Sequence, residues 1–171
     1  VEMINKYGAD ALRLALIWGV KVENDNALSE DNIRGQRNFS NKIWNVARFI
    51  FMESHAKKGG YTKAPTLKNE VDRIMVAELK KTIKNVTRSL NKYRLNEAAE
   101  EIYNFFWIKF ANDYLEKSKS RRAGAQKVLE YALQESLKLL HPFMPFVTEA
   151  IWQEGKDRFD PTDLISASWP K

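Results

Sequence analysis

The chain has 171 residues, the size of one domain, and its 28 Lys and Arg against 22 Asp and Glu give a net charge of +6. It has no cysteine and two histidines, which excludes disulfides, thiolate zinc sites, cysteine nucleophiles and a histidine-rich metal centre. No apolar run reaches the roughly 18 residues of a membrane span, so we expect no membrane partner. The positive charge favours a polyanionic partner, and the lack of cysteine fits the cytoplasm.

The predicted elements are all helical. The pattern predicts helices over residues 10–18, 29–54, 69–93, 95–117, 128–140 and from 145, a linker over 57–68 and a basic turn over 118–124. Ser29 caps the second helix, Pro142 stops the fifth, and Pro145 begins the last. The period places Leu12, Ala15 and Leu16 on one side of the first helix and Tyr93 at the end of the apolar face of the third. With no alternating strand pattern and short loops, we predict an all-α, up-and-down helical bundle.

The helix over 29–54 has two contrasting faces. Its apolar arc is predicted to be buried and consists of Phe39, Ile43, Val46, Ala47 and Ile50. The opposite arc and its flanks hold amides, cations and aromatics, namely Arg37, Asn38, Asn41, Lys42, Trp44, Asn45, Arg48, Phe49 and Met52. That mixture suits unpaired bases, which stack on aromatic rings while amides contact their edges and cations hold phosphates. Alternatively, another helix packs on the two aromatics and the asparagines are only solvated.

Two further basic features have two interpretations each. Lys80, Lys84, Arg88 and Lys92 are spaced four residues apart on the next helix, where they either follow a phosphate backbone or form a solvated face. A cluster at 117–122 allows the same alternatives. No nucleotide-binding or zinc-protease motif occurs, and His141, at a helix end, is expected to be half-buried. We therefore predict no catalytic residue, no metal site and no cofactor in this chain.

Several segments together resemble class I aminoacyl-tRNA synthetases of the branched aliphatic amino acids, and among them the valyl-tRNA synthetases. These segments are YGADALR at 7–13, NFSNKIWN and ARF within 38–49, NEAA at 96–99, FFW at 105–107, DYLE at 113–116, LHPFMPFVTE at 140–149, and Trp169 with Pro170. The match to valyl enzymes rests on the NKIWN and ARF residues. One departure is the segment NDY at 112–114, where relatives often have an aromatic residue before the tyrosine.

The resemblance implies a C-terminal anticodon-binding domain over 29–171, preceded by a helical stem-contact junction over 1–28. It implies a parent enzyme that joins valine to tRNA(Val) using ATP and Mg, with catalytic and editing domains upstream of Val1, so we expect the chain to be a fragment. Its implied anticodon contacts are Arg37, Asn41, Lys42, Asn45, Arg48 and Phe49, with weaker phosphate contacts at Lys80, Lys84 and Arg88. The alternatives are an isoleucyl, leucyl or methionyl enzyme, or a non-enzymatic helical interaction module.

Overall fold

A computed structural model describes residues 2–19, 28–52, 64–67, 69–159 and 162–171, and every regular element in these ranges is helical. The elements are α1 (Glu2–Tyr7), α2 (Ala9–Ile17), α3 (Glu30–Met52), α4 (Glu70–Asn91), α5 (Leu95–Asn104), a π-helical segment (Phe105–Tyr114), α6 (Leu115–Ser118), a 3₁₀ turn (Lys119–Arg121), α7 (Arg122–Leu140), α8 (Pro145–Glu154) and a second 3₁₀ turn (Leu164–Ser166). The all-α prediction is confirmed. Most of the predicted linker, and the predicted end of α3 beyond residue 52, lie outside the described residues.

Helices α3 and α4 begin after residues whose side chains accept a hydrogen bond from a first-turn amide. The Ser29 hydroxyl accepts a hydrogen bond from the Asn32 amide at 3.2 Å, and the Asn69 side chain accepts one from the Val71 amide at 2.8 Å. Pro145 occupies the first turn of α8, where its missing N–H leaves no bond unmade. The caps that the sequence predicts at Ser29 and Pro145 are therefore present. By contrast, α7 begins at Arg122, earlier than predicted.

Helix α7 is the centre of the bundle, with 13 of its 19 residues buried, Glu130, Gln134 and Glu135 among them. Both α3 and α4 pack on α7 and on the π-helical segment, and they make little contact with each other. The segment lies between them, because Lys42 of α3 donates to Asn112 while Lys109 pairs with Glu78 of α4. The outward faces of α3 and α4 therefore lie on opposite sides of the bundle.

The helix predicted over 95–117 changes type along its length. It is α-helical to Asn104 and then π-helical over Phe105–Tyr114. Phe110 and Leu115, five positions apart in the sequence, are both buried here. A π-turn, with hydrogen bonds from i to i+5, keeps residues at this spacing on one side. The prediction of a regular α-helix was wrong here.

The N-terminal helices pack on the bundle and are joined to α8 by a side-chain cap. The buried Asp10 carboxylate accepts hydrogen bonds from the backbone amides of Phe146 at 3.2 Å and Val147 at 2.6 Å, at the start of α8. Burial raises the pKa of Asp10 although both amides favour its charged form. Arg13 donates to the carbonyl of Pro142 at 3.2 Å. Two of the segments that carry the family resemblance therefore contact each other.

Two apolar residues lie outside the core, contrary to prediction. Ala15 is buried as predicted, but Leu16 is 55% exposed, because α2 turns Ala11 and Leu14 inward beside Ala15. Tyr93 is 90% exposed, because α4 ends at Asn91 and the residue lies in the turn that follows. The helical period predicts buried side chains only within the helix, and α4 ends two residues before Tyr93.

A buried polar cluster joins α4 to the end of the π-helical segment. The Asp72 carboxylate accepts a 2.6 Å hydrogen bond from the Tyr114 hydroxyl and two from the Arg121 guanidinium, at 2.7 and 3.0 Å. Burial and the bond to Asp72 raise the pKa of Tyr114 above its usual range. We call these three residues the Asp72 cluster.

Candidate nucleic-acid interface

The outward face of α3 carries one continuous polar row. The apolar arc is buried as predicted, and the residues opposite it are exposed at spacings of three and four. We call Asn38, Asn41, Asn45 and Arg48 the α3 row. Met52, 79% exposed, continues it at the end of the helix.

The side chains of the α3 row make no hydrogen bond and no ion pair within the described part of the chain. Three carboxamides supply donors and acceptors together, and Arg48 supplies a charged planar donor. Since these groups face solvent, they are available to a ligand without breaking any contact of the folded protein. The α3 row thus has the chemistry needed to contact base edges and phosphates.

Two flanking cations of this face are tied to the protein. Lys42 donates to the Asn112 side chain at 3.0 Å and lies 5.5 Å from the centre of the Trp107 ring, a cation–π distance. Arg37 is exposed but donates to the carbonyl of Lys6 at 3.0 Å. Their positions are held by residues far away in sequence, and no local pattern could have identified Asn112 as a neighbour of this face.

Phe49, predicted as a stacking platform, is half-buried and packs against the core. The guanidinium of Arg122 lies 4.3 Å from the centre of its ring, and the same group donates to the Phe49 carbonyl at 2.9 Å. Part of the ring surface is therefore occupied by α7. Trp44 also packs against the core. This agrees with the alternative interpretation, in which another helix packs on the two aromatic side chains.

The basic row of α4 lies on the other side of the bundle. Lys80, Lys84, Arg88 and Lys92 are all exposed and line one open groove of about 650 Å³. The α3 row and this groove are separate features, since their helices face away from each other. The sequence alone did not show that the two predicted contact surfaces are on different sides.

The basic cluster at 117–122 is neutralised by contacts within the protein. Lys117 pairs with Asp113 at 2.7 Å and Lys119 pairs with Glu116 at 2.7 Å, each one helical turn away. Arg121 belongs to the Asp72 cluster and Arg122 packs on Phe49. These contacts favour a structural role for the cluster over phosphate binding.

The described residues contain no group of three or more His, Cys, Asp or Glu side chains placed to hold one metal ion. His141 is half-buried, with Nδ1 2.9 Å from the hydroxyl oxygen of Thr148. Among the described helices, none combines the length and the apolar character that crossing a bilayer requires.

Comparison with known families agrees with this geometry. The sequence model of the family described as the anticodon-binding domain of tRNA ligase matches residues 72–171. The chain belongs to this family. The matched region begins within α4 and includes α5, α7 and α8, which form most of the core. The resemblance inferred from the motifs is therefore confirmed at the level of the family.

Curated relatives extend the similarity over α1 to α3. The chain is 40% identical to a valine–tRNA ligase of Carboxydothermus hydrogenoformans over its whole length, and 38% identical to that of Rhizobium meliloti over 99% of it. A valine–tRNA ligase of Bacillus cereus is 36% identical over 99% of the chain. The chain spans about a fifth of the length of these relatives, 19 to 20%.

A solved structure shares the fold. A LeuRS–tRNA–LeuAMS ternary complex from Agrobacterium radiobacter K84 superposes with a TM-score of 0.81 at 18% identity, covering 99% of this chain and 21% of that one. At this identity the likeness shows the fold alone. The predicted helical bundle of a class I synthetase anticodon-binding domain is confirmed in its architecture.

Proposed function

We propose that this chain is the part of a valine–tRNA ligase that recognises the anticodon of tRNA(Val). The complete enzyme would attach valine to tRNA(Val) using ATP. Membership of the anticodon-binding family and the named relatives support the proposal. The observation that carries it is the α3 row, four exposed amide and guanidinium side chains without a partner in the described structure.

We assign base recognition to Asn41 and Asn45, whose carboxamides can both donate to and accept from base edges. Arg48 adds a planar cation for a base or a phosphate. Arg37 and Lys42 border the same face and would hold phosphates, since their present bonds are to neutral oxygens that a phosphate can replace. Phe49 belongs to the proposal as a stacking contact through the part of its ring that Arg122 leaves open. Lys80, Lys84 and Arg88 are proposed as weaker phosphate contacts on the other side.

The remaining assignments concern the parent enzyme. ATP and Mg belong to its aminoacylation reaction, and we assign them to the remainder of the parent enzyme, since this chain spans about a fifth of the length of the valine–tRNA ligases it matches. Residues 1–28 are proposed as the stem-contact junction and 29–171 as the anticodon-binding bundle. Asp10 and Arg13 would join the two through their bonds to the start of α8 and to Pro142. We propose a cytoplasmic location, that of the translation machinery the enzyme would serve.

The proposal is tested by fluorescence anisotropy with a tRNA(Val) transcript and with the same transcript carrying another anticodon, at two salt concentrations. We expect a preference for the valine anticodon that persists at the higher salt, since base contacts depend less on counterion release than phosphate contacts do. Replacing Asn41, Asn45 and Arg48 together by alanine should lower the affinity for tRNA(Val) about 10-fold or more and remove the preference.

Lys127→Ala is the matched control, because Lys127 is an exposed cation of α7 that belongs to neither surface. It should leave affinity and preference unchanged. Equal, salt-sensitive binding of both transcripts by the unaltered chain would contradict anticodon recognition. An unchanged preference in the triple variant would show that the α3 row is not the recognising surface.

A further inference from the structure

The groove beside α4 is lined by cations from two parts of the chain. Lys80, Lys84, Arg88 and Lys92 form the α4 wall, and Lys171 joins them from the C-terminal segment. Every charged side chain that lines the groove is positive. A hydrogen bond of 2.8 Å from the Trp169 indole to the Thr87 hydroxyl holds that segment against α4. The second wall is therefore fixed by a specific contact.

The cations of the groove are not neutralised within the described part of the protein. None of the five makes an ion pair there, whereas exposed cations elsewhere do, Arg73 with Glu70 and Lys109 with Glu78 for instance. Arg88 donates only to the neutral Asn85 side chain, at 3.2 Å. Like charges so close together repel one another, and a bound polyanion would relieve that repulsion. The groove is therefore suited to a chain of phosphates.

The turn after α4 presents an aromatic ring next to this groove. Tyr93 follows Lys92, is 90% exposed, and its side chain has no ring contact or hydrogen bond within the described residues. Its backbone has φ of 57°, the left-handed conformation. The Tyr93 amide bonds to the Leu90 carbonyl and the Arg94 amide to the Ser89 carbonyl, both at 2.9 Å, which is the Schellman motif that usually places glycine here. At 90% exposure, the side chain gains little from packing on the described residues to offset this unfavourable backbone.

We propose that the groove and Tyr93 form a second RNA-contact site, on the opposite side of the bundle from the α3 row. The phosphodiester backbone lies along Lys84, Arg88, Lys92 and Lys171, and an unpaired base stacks on the Tyr93 ring. An acidic protein segment would use the cations but has no need of the ring, whereas every nucleic-acid base has a face that stacks. The site takes its ligand class, RNA, from the proposed function, but it uses none of the residues of the α3 row.

The decisive variant is Tyr93→Gly. It removes the ring and supplies the residue that the left-handed position favours, so lost binding cannot come from a damaged fold. We expect a melting temperature that is unchanged or about 2–4 °C higher. Affinity for a labelled single-stranded RNA of about 12 nucleotides should fall about 5- to 150-fold, the loss expected for one stacked base. Tyr93→Phe should keep the affinity, since it keeps the ring.

The same RNA is titrated into the Asn41, Asn45, Arg48 triple alanine variant, with and without Tyr93→Gly. A second, independent site predicts a fold-loss from Tyr93→Gly that is at least as large in the triple variant as in the unaltered chain, because binding at the α3 row no longer contributes. Lys84→Ala and Arg88→Ala should each lower the salt slope by about 0.7, and Lys127→Ala should change nothing. If the triple variant keeps its tRNA affinity while Tyr93→Gly loses RNA binding, the α3 assignment fails and the second site stands.

Affinity within twofold of the unaltered chain in Tyr93→Gly would overturn the proposal. The proposal would also be overturned if Lys84→Ala and Arg88→Ala weaken RNA binding and Tyr93→Gly does not, because the groove would then bind anions by charge alone. In that case polyglutamate should compete with the RNA as an acidic protein segment would.

Discussion

The Asp72 cluster and the α3 row contain similar polar side chains, which are buried and paired in the first and exposed in the second. In the cluster, a carboxylate, a phenol and a guanidinium satisfy one another in a buried site. In the α3 row, carboxamides and a guanidinium point to solvent with no partner in the described structure. A buried polar group must be paired, because leaving it unpaired costs stability, whereas an exposed group exchanges water for a ligand at little cost.

Burial and pairing therefore distinguish polar residues that stabilise the fold of this basic helical protein from those available to bind a ligand. Arg121 and Arg48 are both arginines in helical segments, and their sequence surroundings do not distinguish them. The partner distinguishes them, since Arg121 bonds to Asp72, 49 residues away, whereas the Arg48 side chain has no hydrogen bond or ion pair among the described residues. Substitutions in the cluster should therefore change stability, and those in the row should change binding.

The largest effect is expected for Asp72→Ala. It leaves the Arg121 guanidinium and the Tyr114 hydroxyl without their acceptor, so the free energy of unfolding should fall by about 3 kcal/mol. The melting temperature should drop by about 6–12 °C, measured by circular dichroism. Asp113→Ala is the control, because Asp113 is an exposed acid in an i,i+4 pair worth little. A drop no larger than that of the control would contradict the structural role of the cluster.

A smaller effect, of opposite sign, is expected when Asn41 and Asn45 are both replaced by alanine. Alanine favours a helix interior more than asparagine does, and neither carboxamide makes a hydrogen bond to another described residue that the substitution would remove. The free energy of unfolding should rise by about 1 kcal/mol while affinity for tRNA falls. Urea denaturation measures the first quantity. A loss of stability would show that the two asparagines stabilise the fold, which contradicts the distinction between the α3 row and the Asp72 cluster.

The smallest effect concerns His141 and pH. Burial lowers its pKa below the usual value, although Glu149 and Asp10 act in the opposite direction. The folded state therefore binds fewer protons than the unfolded state, so the contribution of His141 is fully present above about pH 6.5 and is lost as the pH falls through the lowered pKa. Between about pH 7.5 and 5.5 the unaltered chain should lose more stability than His141→Gln.

The comparison is made in a His55→Gln background, which removes the only other imidazole of the chain. If the free energy of unfolding of His141→Gln depends on pH as that of the unaltered chain does, the His141 imidazole titrates alike in the folded and unfolded states.

Local signals in the sequence were sufficient for the helices, their caps and the family. Ser29 and Pro145 mark helix starts because capping depends on residues within one turn, and the apolar arc of α3 follows from a period of 3.6. The motif segments identified the anticodon-binding family, which the family match bears out. The exposed face of α3 could also be predicted, since it lies opposite a strongly apolar arc.

Contacts between distant residues were decided only by the tertiary structure. Arg122 covers part of Phe49, Asn112 binds Lys42, and Asp10 caps α8 from 136 residues away. The π-helical segment was not predicted, and Tyr93 lies outside the core because α4 ends before it. The apolar period of one helix determines which of its sides faces the core. The contribution of each polar side chain to stability depends on its partners, and these come from distant parts of the sequence that meet only in the folded bundle.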